Sequence, residues 1–210
     1  MPMSTGPAPL EVSARGRGRP ARYSRDDLLA LVVAVFNERG YEATSMEDLA
    51  RASGLTKSAF YHHVSGKEEL LGLAVERALG ALSAVFDGVA TPGERPVDRL
   101  QDAIRRTAEA LLAELPYVTL LLRVRGNTEV ERSALARRRA VDARLAALAS
   151  EASQAGEIRG DIDPRLVSRL LFGMVNSIAQ WYRPGARTSA DEVVLAVVTL
   201  AMEGLGAQRS

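Results

Sequence analysis

Apolar residues recur at intervals of three and four along most of the chain, with polar residues between them. This spacing places the apolar side chains on one face of a helix, and no alternation of apolar and polar residues is long enough to predict a strand. The pattern predicts an all-α fold of about nine helices. They are expected at 24–39, 45–52, 56–62, 65–86, 97–115, 117–124, 128–154, 163–181 and 189–204.

Helix starts are marked by capping residues. Ser24 with Asp27, and Ser189 with Glu192, have the spacing of a capping box. In such a box the serine hydroxyl accepts from the backbone N–H of the acid, and the carboxylate accepts from the backbone N–H of the serine. The fourth helix is predicted to begin at a further box within 65–68. Gly40 follows the first apolar stripe and predicts its end.

Two short helices joined by a tight glycine turn are typical of a helix-turn-helix. Here they are predicted at 45–52 and 56–62, with Gly54 in the turn. The second helix of such a pair lies in the major groove of DNA, with its N-terminal residues towards the base edges. The residues at this position are small or polar, as that contact requires: Thr56, Lys57, Ser58 and Ala59.

Groups suited to phosphate flank this second helix. The helix N-terminus at Thr44 and Ser45 offers backbone N–H groups and the positive end of a helix dipole. Phenol, imidazole and ammonium groups follow at or beyond the exposed end of the second helix: Tyr61, His62, His63 and Lys67.

Structural roles are open for several of these side chains. Ser45 and Thr56 would be needed as helix caps without DNA, and Tyr61 could fill a gap between helices. For His63 a role as a hydrogen-bonded packing residue is favoured over a phosphate contact. Because His62 and His63 are adjacent, they are poorly placed for one ion, and no metal site is expected.

The net charge is only +1, but the charge is unevenly distributed. Five arginines fall between positions 15 and 25, Arg17 and Arg19 among them, and a single acid precedes Asp26. A basic arm of this kind can hold a phosphate backbone or enter a minor groove, and it is equally consistent with a solvated tail. Residues 1–22, rich in Pro, Gly, Ser and Arg, are therefore expected to form a mobile basic arm.

Composition excludes several classes of function. The chain is 47% hydrophobic and 25% charged, and no apolar run is long enough to span a bilayer. It has no cysteine, which excludes disulfides, thiolate metal sites and cysteine nucleophiles. No signal peptide, GxSxG motif or phosphate-binding glycine loop is recognisable. We expect a cytoplasmic protein that is not an enzyme and needs no cofactor.

The stretch from Tyr23 to Leu71 resembles the signature of the tetracycline-repressor (TetR) family of transcriptional regulators. Its most specific part is Gly-Leu-Thr-Lys-Ser-Ala-Phe-Tyr-His-His-Val-Ser-Gly-Lys-Glu-Glu-Leu. One departure is Val64, where most members carry Phe, and a smaller apolar residue is tolerated there. The resemblance implies a helix-turn-helix domain at 23–69 and a ligand-binding and dimerisation domain at 70–210.

The same resemblance implies a mode of action. Members of the family bind a palindromic operator as dimers, usually as repressors that a small molecule releases. The residues assigned by the resemblance are Lys57, Ser58 and Ala59 for the bases, and Thr44, Tyr61, His63 and Lys67 for the phosphates.

The last two helices are the most apolar of the larger domain. Such helices suit either a central core or a dimer interface, and the resemblance favours a four-helix bundle between two protomers. A dimer that contacts two half-sites about 34–36 Å apart recognises a palindrome better than a single protomer does. The residues predicted at this interface are Leu166, Leu170, Met174, Ile178, Val193, Val197 and Leu200.

A ligand pocket is predicted where polar groups interrupt apolar helices near aromatic side chains. The candidates are Phe86, Tyr117, Leu121, Arg123, Asn176, Gln180 and Trp181. Structural alternatives stay open, since Asn176 could pair across the dimer and Trp181 could be ordinary core. The segment 171–205 resembles regulators of fatty-acid and aromatic-acid catabolism, which implies an acyl-CoA or a related acid as the effector.

Two other functions are consistent with the same helix-turn-helix. A ligand-independent architectural DNA-binding protein would show weak sequence preference, a steep dependence on salt and no response to an effector. A degenerate family member would act through protein partners, but intact Lys57, Tyr61 and Lys67 argue against it.

Overall fold

The computed structural model describes residues 24–61, 64–87 and 93–206. The predicted arm at 1–22 with Arg17 and Arg19, the two histidines His62 and His63, and the side chain of Ala59 lie outside this description. The all-α prediction is confirmed within the described ranges, and the helices there are α1 (Arg25–Arg39), α2 (Met46–Ser53), α3 (Lys57–Tyr61), α4 (Lys67–Ala84), α5 (Pro96–Ala113), α6 (Leu115–Arg123), α7 (Glu129–Gln154), α8 (Pro164–Trp181) and α9 (Ala190–Leu205).

Reciprocal capping boxes begin α1 and α9, as the spacing of their serines and acids predicts. The box predicted for α4 within 65–68 is wrong. The N-cap of α4 is Gly66, which has no side chain to offer. The backbone N–H and hydroxyl of Ser65 instead donate to the carboxylate of Glu69, at 2.6 and 2.8 Å.

The first three helices form a small unit around buried aromatic and aliphatic side chains. Phe36 of α1, Leu49 of α2 and Phe60 of α3 are all fully buried. Burying a side chain of this size contributes about 1.5–3 kcal/mol. α3 has only five residues, too few to be stable alone, so its position depends on this packing.

The larger unit is built around α5 and α7. α5 packs against α7, α8 and α9, and α7 packs against α4, α5 and α8. α4 belongs to both units, because it contacts α1 as well as α6 and α7. The predicted boundary at 69/70 therefore falls inside a helix that carries the core from one unit into the other. No described helix is long and apolar enough to cross a membrane.

Candidate nucleic-acid interface

The α2–α3 pair has the geometry of a helix-turn-helix. Ser45 caps α2 by accepting the backbone N–H of Asp48, and Gly54 ends the helix with φ +67°, a backbone conformation that favours glycine. The burial of Phe60 fixes α3 against the core, and the opposite side of α3 faces solvent. That exposed side carries Thr56, Lys57, Ser58 and Tyr61.

Lys57 is held at the start of α3 by an acid from α2. Its Nζ lies 2.7 Å from Oε1 of Glu47, and both side chains are more than half exposed. The hydrogen bond with Lys57 lowers the pKa of the Glu47 carboxyl, and the same bond raises the pKa of Lys57. Both groups are therefore charged near neutral pH. Glu47 was not predicted from the sequence, although the turn at Gly54 indicates that α3 folds back beside α2.

Thr44 does not lie on this surface, and its assignment to phosphate is wrong. The residue is 2% exposed, and its hydroxyl donates to the backbone carbonyl of Gly40 at 2.7 Å. Its backbone N–H also donates to the backbone carbonyl of Tyr41, at 3.3 Å. Thr44 therefore stabilises the loop between α1 and α2, and Ser45 alone provides the cap.

Lys67 is also directed inward rather than towards solvent. Its Nζ donates to the backbone carbonyl of Tyr41 at 2.9 Å and lies 4.3 Å from the centre of the Tyr41 ring. The Tyr41 ring in turn packs edge-on against Phe36. The ammonium thus fastens the first turn of α4 to the α1–α2 loop, which differs from the phosphate contact predicted for it.

A cleft of about 680 Å³ separates the helix-turn-helix unit from α6 and the start of α7. Two polar contacts cross it. Arg123, which lines the cleft, donates to the backbone carbonyl of Asn37, and the amide of Asn127 donates to the carboxylate of Glu42 at 3.3 Å. Arg123 is exposed and donates to a residue of α1, so it links the two units as well as lining this cleft.

Three of the other candidates for a ligand pocket belong to the buried core. Leu121 is fully buried, Tyr117 lies under the guanidinium of Arg77 at 4.3 Å, and Phe86 lies under Arg144 at 4.9 Å. Arginines therefore cover Tyr117 and Phe86.

The predicted polar pocket residues of α8 lie nearer the surface. Asn176 is half-buried, whereas Gln180 and Trp181 are exposed at the C-terminal end of the helix. None of these three, nor Phe86, Tyr117 or Leu121, lines the cleft beside α6 or the groove between α7 and α8. Because Gln180 and Trp181 are exposed in the protomer, a ligand contact at these two residues stays a prediction.

The second groove, also of about 680 Å³, runs between α7 and the first half of α8. We call it the α7–α8 groove; its charged lining residues are Arg139, Asp142, Asp163, Arg165 and Arg169. None of the three arginines makes an ion pair with a described residue, unlike most arginines of α4 to α7. Burial raises the pKa of Asp142, against the opposing effect of Arg138 and Arg169.

Part of the predicted dimer interface is interior to the protomer. Ile178, Val193 and Val197 are 1%, 3% and 6% exposed and pack into the protomer's own core, so their assignment to an interface is wrong. Met174 is half-buried. The residues that do face solvent form an apolar outer face on α8 and α9, with exposed fractions of 48–68%: Leu166, Leu170, Trp181, Leu195 and Leu200.

Leu195 was not predicted at this face, and Trp181 was predicted in the ligand pocket instead. The spacing on α8 indicates that three of these residues share one stripe of the helix. Leu170 lies about one helical turn after Leu166, and Trp181 lies about three turns after Leu170. A second apolar stripe on the same helix, which includes Ile178, is the one that faces the core.

Among the described residues, no group of three or more acidic or histidine side chains is placed to hold a metal ion.

Two family models match the chain. Residues 28–74 match "Bacterial regulatory proteins, tetR family", and residues 93–205 match "Tetracyclin repressor-like, C-terminal domain". The first match covers the helix-turn-helix unit with the start of α4, and the second covers the region from α5 to α9.

Named relatives and solved structures agree with these matches. SCO3833 of Streptomyces coelicolor A3, a TetR regulator of known structure, is 48% identical over 96% of this chain and 98% of its own, with a TM-score of 0.80. The repressor KstR2 of Mycobacterium tuberculosis is 27% identical over 86% of this chain and 92% of its own. AibR, solved with isovaleryl coenzyme A and operator DNA, is 27% identical over 84% and 96% of the two chains, with a TM-score of 0.71.

Proposed function

The chain belongs to the TetR family of DNA-binding transcriptional regulators, which are not enzymes, and we propose that it is a repressor that binds a palindromic operator as a homodimer and is released by an acyl-CoA or a related acid. The observation that carries the proposal is the exposed N-terminal side of α3 beside the capped start of α2. Such a regulator acts where the chromosome lies, so the cytoplasm is its proposed location.

Base recognition is assigned to the first turn of α3. Lys57 has an exposed ammonium there, and lysine pairs well with the O6 and N7 acceptors of guanine. Ser58 follows on the same short helix and suits a hydroxyl contact with a base, and alanine, the residue type at position 59, suits contact with a thymine methyl group. Tyr61, 44% exposed at the other end of α3, is assigned to a phosphate.

The homodimer is proposed to form through the apolar outer face. Five large apolar side chains exposed on adjacent helices would be unusual on a monomer, because contiguous apolar patches usually mark an interface. Pairing α8 and α9 with their symmetry mates buries this face in a four-helix arrangement, and it places two helix-turn-helix units on one molecule. A palindrome has the matching symmetry.

The effector is proposed to bind with its anionic part in the α7–α8 groove. Arg139, Arg165 and Arg169 are without ion pairs to described residues, and guanidinium groups bind phosphate well. The groove also has an apolar floor of alanines, which suits a ligand with both charged and apolar parts. The solved complex of AibR with isovaleryl coenzyme A supports this class of effector.

The test begins with selection of a duplex from a random-sequence DNA library by the purified protein. Fluorescence anisotropy then compares this selected duplex with a scrambled duplex of the same composition, with and without isovaleryl-CoA, longer acyl-CoA thioesters and free CoA. We expect saturable binding that strongly prefers the selected duplex and that one thioester reverses. Equal binding of both duplexes, insensitive to every thioester and steeply dependent on salt, would instead support an architectural DNA-binding protein.

The effector site has its own control within the same assay. Arg165→Gln and Arg169→Gln should raise the thioester concentration needed for release while leaving DNA affinity unchanged. Arg187→Gln, an exposed arginine beyond the far end of α8, should change neither. If all three variants respond alike, the groove is not the effector site.

A further inference from the structure

A carboxylate stands within the surface that is assigned to DNA. Glu47 lies in the first turn of α2, and its Oε1 is 2.7 Å from Nζ of Lys57 at the start of α3. The two side chains are 64% and 58% exposed, so the ion pair lies on the protein surface. Because Lys57 is at the end of α3 that faces the base edges, the carboxylate of Glu47 must face DNA as well.

The position of this carboxylate is unfavourable for binding to a polyanion. Phosphate contacts supply most of the affinity of non-specific binding, and each one releases counterions. An acid beside the leading lysine repels phosphate and also competes with it for the ammonium. The neighbouring acid of α2, Asp48, is only 23% exposed and lies near two arginines, Arg39 at 3.7 Å and Arg51 at 3.4 Å. Glu47 is 64% exposed and has Lys57 as its ion-pair partner, so Glu47 is the acid of α2 that DNA would meet.

On the operator the same pair has a different effect. A lysine ammonium has three N–H donors, so Lys57 can keep Glu47 as one partner and still donate to a base acceptor. On the operator, Glu47 orients Lys57 towards a base acceptor. The gain from this base contact partly offsets the repulsion between the carboxylate of Glu47 and DNA. On other sequences Lys57 finds only phosphate, and no such compensation exists.

We propose that Glu47 is a specificity-determining residue, which through its ion pair with Lys57 weakens binding to non-operator DNA more than binding to the operator. The inference rests on the proposed function, since it presupposes an operator. It deepens that function by naming a residue of α2 that separates specific from non-specific binding without itself reading a base.

The test measures affinities of wild type and Glu47→Gln for the selected and scrambled duplexes over a range of salt concentrations. We expect Glu47→Gln to bind the scrambled duplex about five-fold more tightly and the selected duplex less than about two-fold differently. The dependence of scrambled-duplex binding on salt should steepen by about one unit, the effect of one additional phosphate contact. Glu109→Gln, which removes an exposed acid paired with Arg105 at the same 2.7 Å on α5, is the matched control and should change nothing.

A second variant tests whether Glu47 acts through Lys57. In a Lys57→Gln background, Glu47→Gln should lose most of its effect on the scrambled duplex. If the effect is undiminished there, the carboxylate acts only as a general negative charge and the proposal is overturned. Thermal unfolding of each variant verifies that the fold is retained.

The remaining outcomes are each decisive. Equal gains on both duplexes, or no gain on either, would overturn the inference and leave Glu47 as a residue that stabilises the start of α2. A loss confined to the selected duplex would also overturn it, because Glu47 would then support operator binding without weakening binding to other DNA. A wild-type protein that binds both duplexes equally would contradict the proposed function itself, whereas a wild-type preference unchanged by Glu47→Gln would contradict only the inference.

Discussion

The side-chain amide of Asn37, in the last turn of α1, donates a 2.8 Å hydrogen bond to the backbone carbonyl of Pro116 at the start of α6. Arg123, at the other end of α6, donates to the backbone carbonyl of the same asparagine. Both ends of α6 are thus fastened to one residue of the helix-turn-helix unit, and the position of that unit depends on the position of α6.

Asn37→Ala is expected to lower the free energy of unfolding by about 1 kcal/mol, because the Pro116 carbonyl loses its side-chain donor. Glu38→Ala, at the exposed neighbouring position, should have little effect. Urea unfolding of the three proteins checks this. Equal stability of Asn37→Ala and Glu38→Ala would show that the contact between α1 and α6 does not stabilise the fold.

Lys57→Ala and Tyr61→Phe should affect DNA binding in different ways. Loss of Lys57 removes a proposed base contact, so binding to the selected duplex should fall roughly ten-fold or more while binding to scrambled DNA changes less. Tyr61→Phe removes a hydroxyl assigned to phosphate and should weaken binding to both duplexes similarly. Anisotropy titrations measure both ratios. Wild-type affinity of both variants for the selected duplex would contradict the assignment of α3 to the major groove.

Leu170→Glu should convert the protein from dimer to monomer, because it places a charge in the centre of the apolar outer face. Sedimentation velocity measures the mass. Trp181, the single tryptophan of the chain, lies on the same face and is 54% exposed in the protomer. Its emission should therefore shift to longer wavelength in the variant.

Ala136→Glu, at an exposed position of α7, is the control for Leu170→Glu and should remain dimeric. A dimeric Leu170→Glu with unchanged tryptophan emission would place the subunit interface elsewhere on the molecule.

Asp142→Asn is expected to stabilise the protein at neutral pH. Burial raises the pKa of Asp142 in the folded state, so the folded protein binds the proton more tightly than the unfolded chain does. The ionised group therefore destabilises the fold at pH values above its raised pKa, and this penalty disappears as the pH falls below the ordinary aspartate value of about 3.9.

Urea unfolding at about pH 7 and about pH 4 measures this difference, which should be largest at the higher pH and should shrink at the lower one. Asp191→Asn, an exposed acid in the first turn of α9, should give no gain at either pH. A gain for Asp142→Asn that grew as the pH fell would contradict the direction of the pKa shift.

Local signals were sufficient to predict the helices. Capping residues, glycine stops and apolar periodicity act within a few residues, so the helix ends at Arg39, Trp181 and Leu205 are all within one residue of the predicted ends. The exposed start of α3 was predictable for the same reason, because the turn at Gly54 and the small polar residues after it are local. Ser65 is the exception, since two acids follow it and the sequence does not tell which one it contacts.

Contacts between distant segments were not predictable from the sequence. Thr44 and Lys67 carry groups suited to phosphate, but the loop after α1 presents carbonyl groups that bind both side chains. Periodicity shows that α8 has two apolar stripes, and only the packing of α5 and α7 decides that Ile178 faces inward and Leu170 outward.

The central claim is that two helix-turn-helix units of one dimer read a palindrome together. The most direct test is the affinity of the protein for the selected palindromic duplex and for the same duplex with about five base pairs inserted between its half-sites, which is half a helical turn. Because the inserted half turn places the half-sites on opposite faces of the DNA, we predict that affinity falls to the level of a single half-site. Equal affinity for the two duplexes would contradict the account, because it would mean that each protomer binds DNA without reference to its partner.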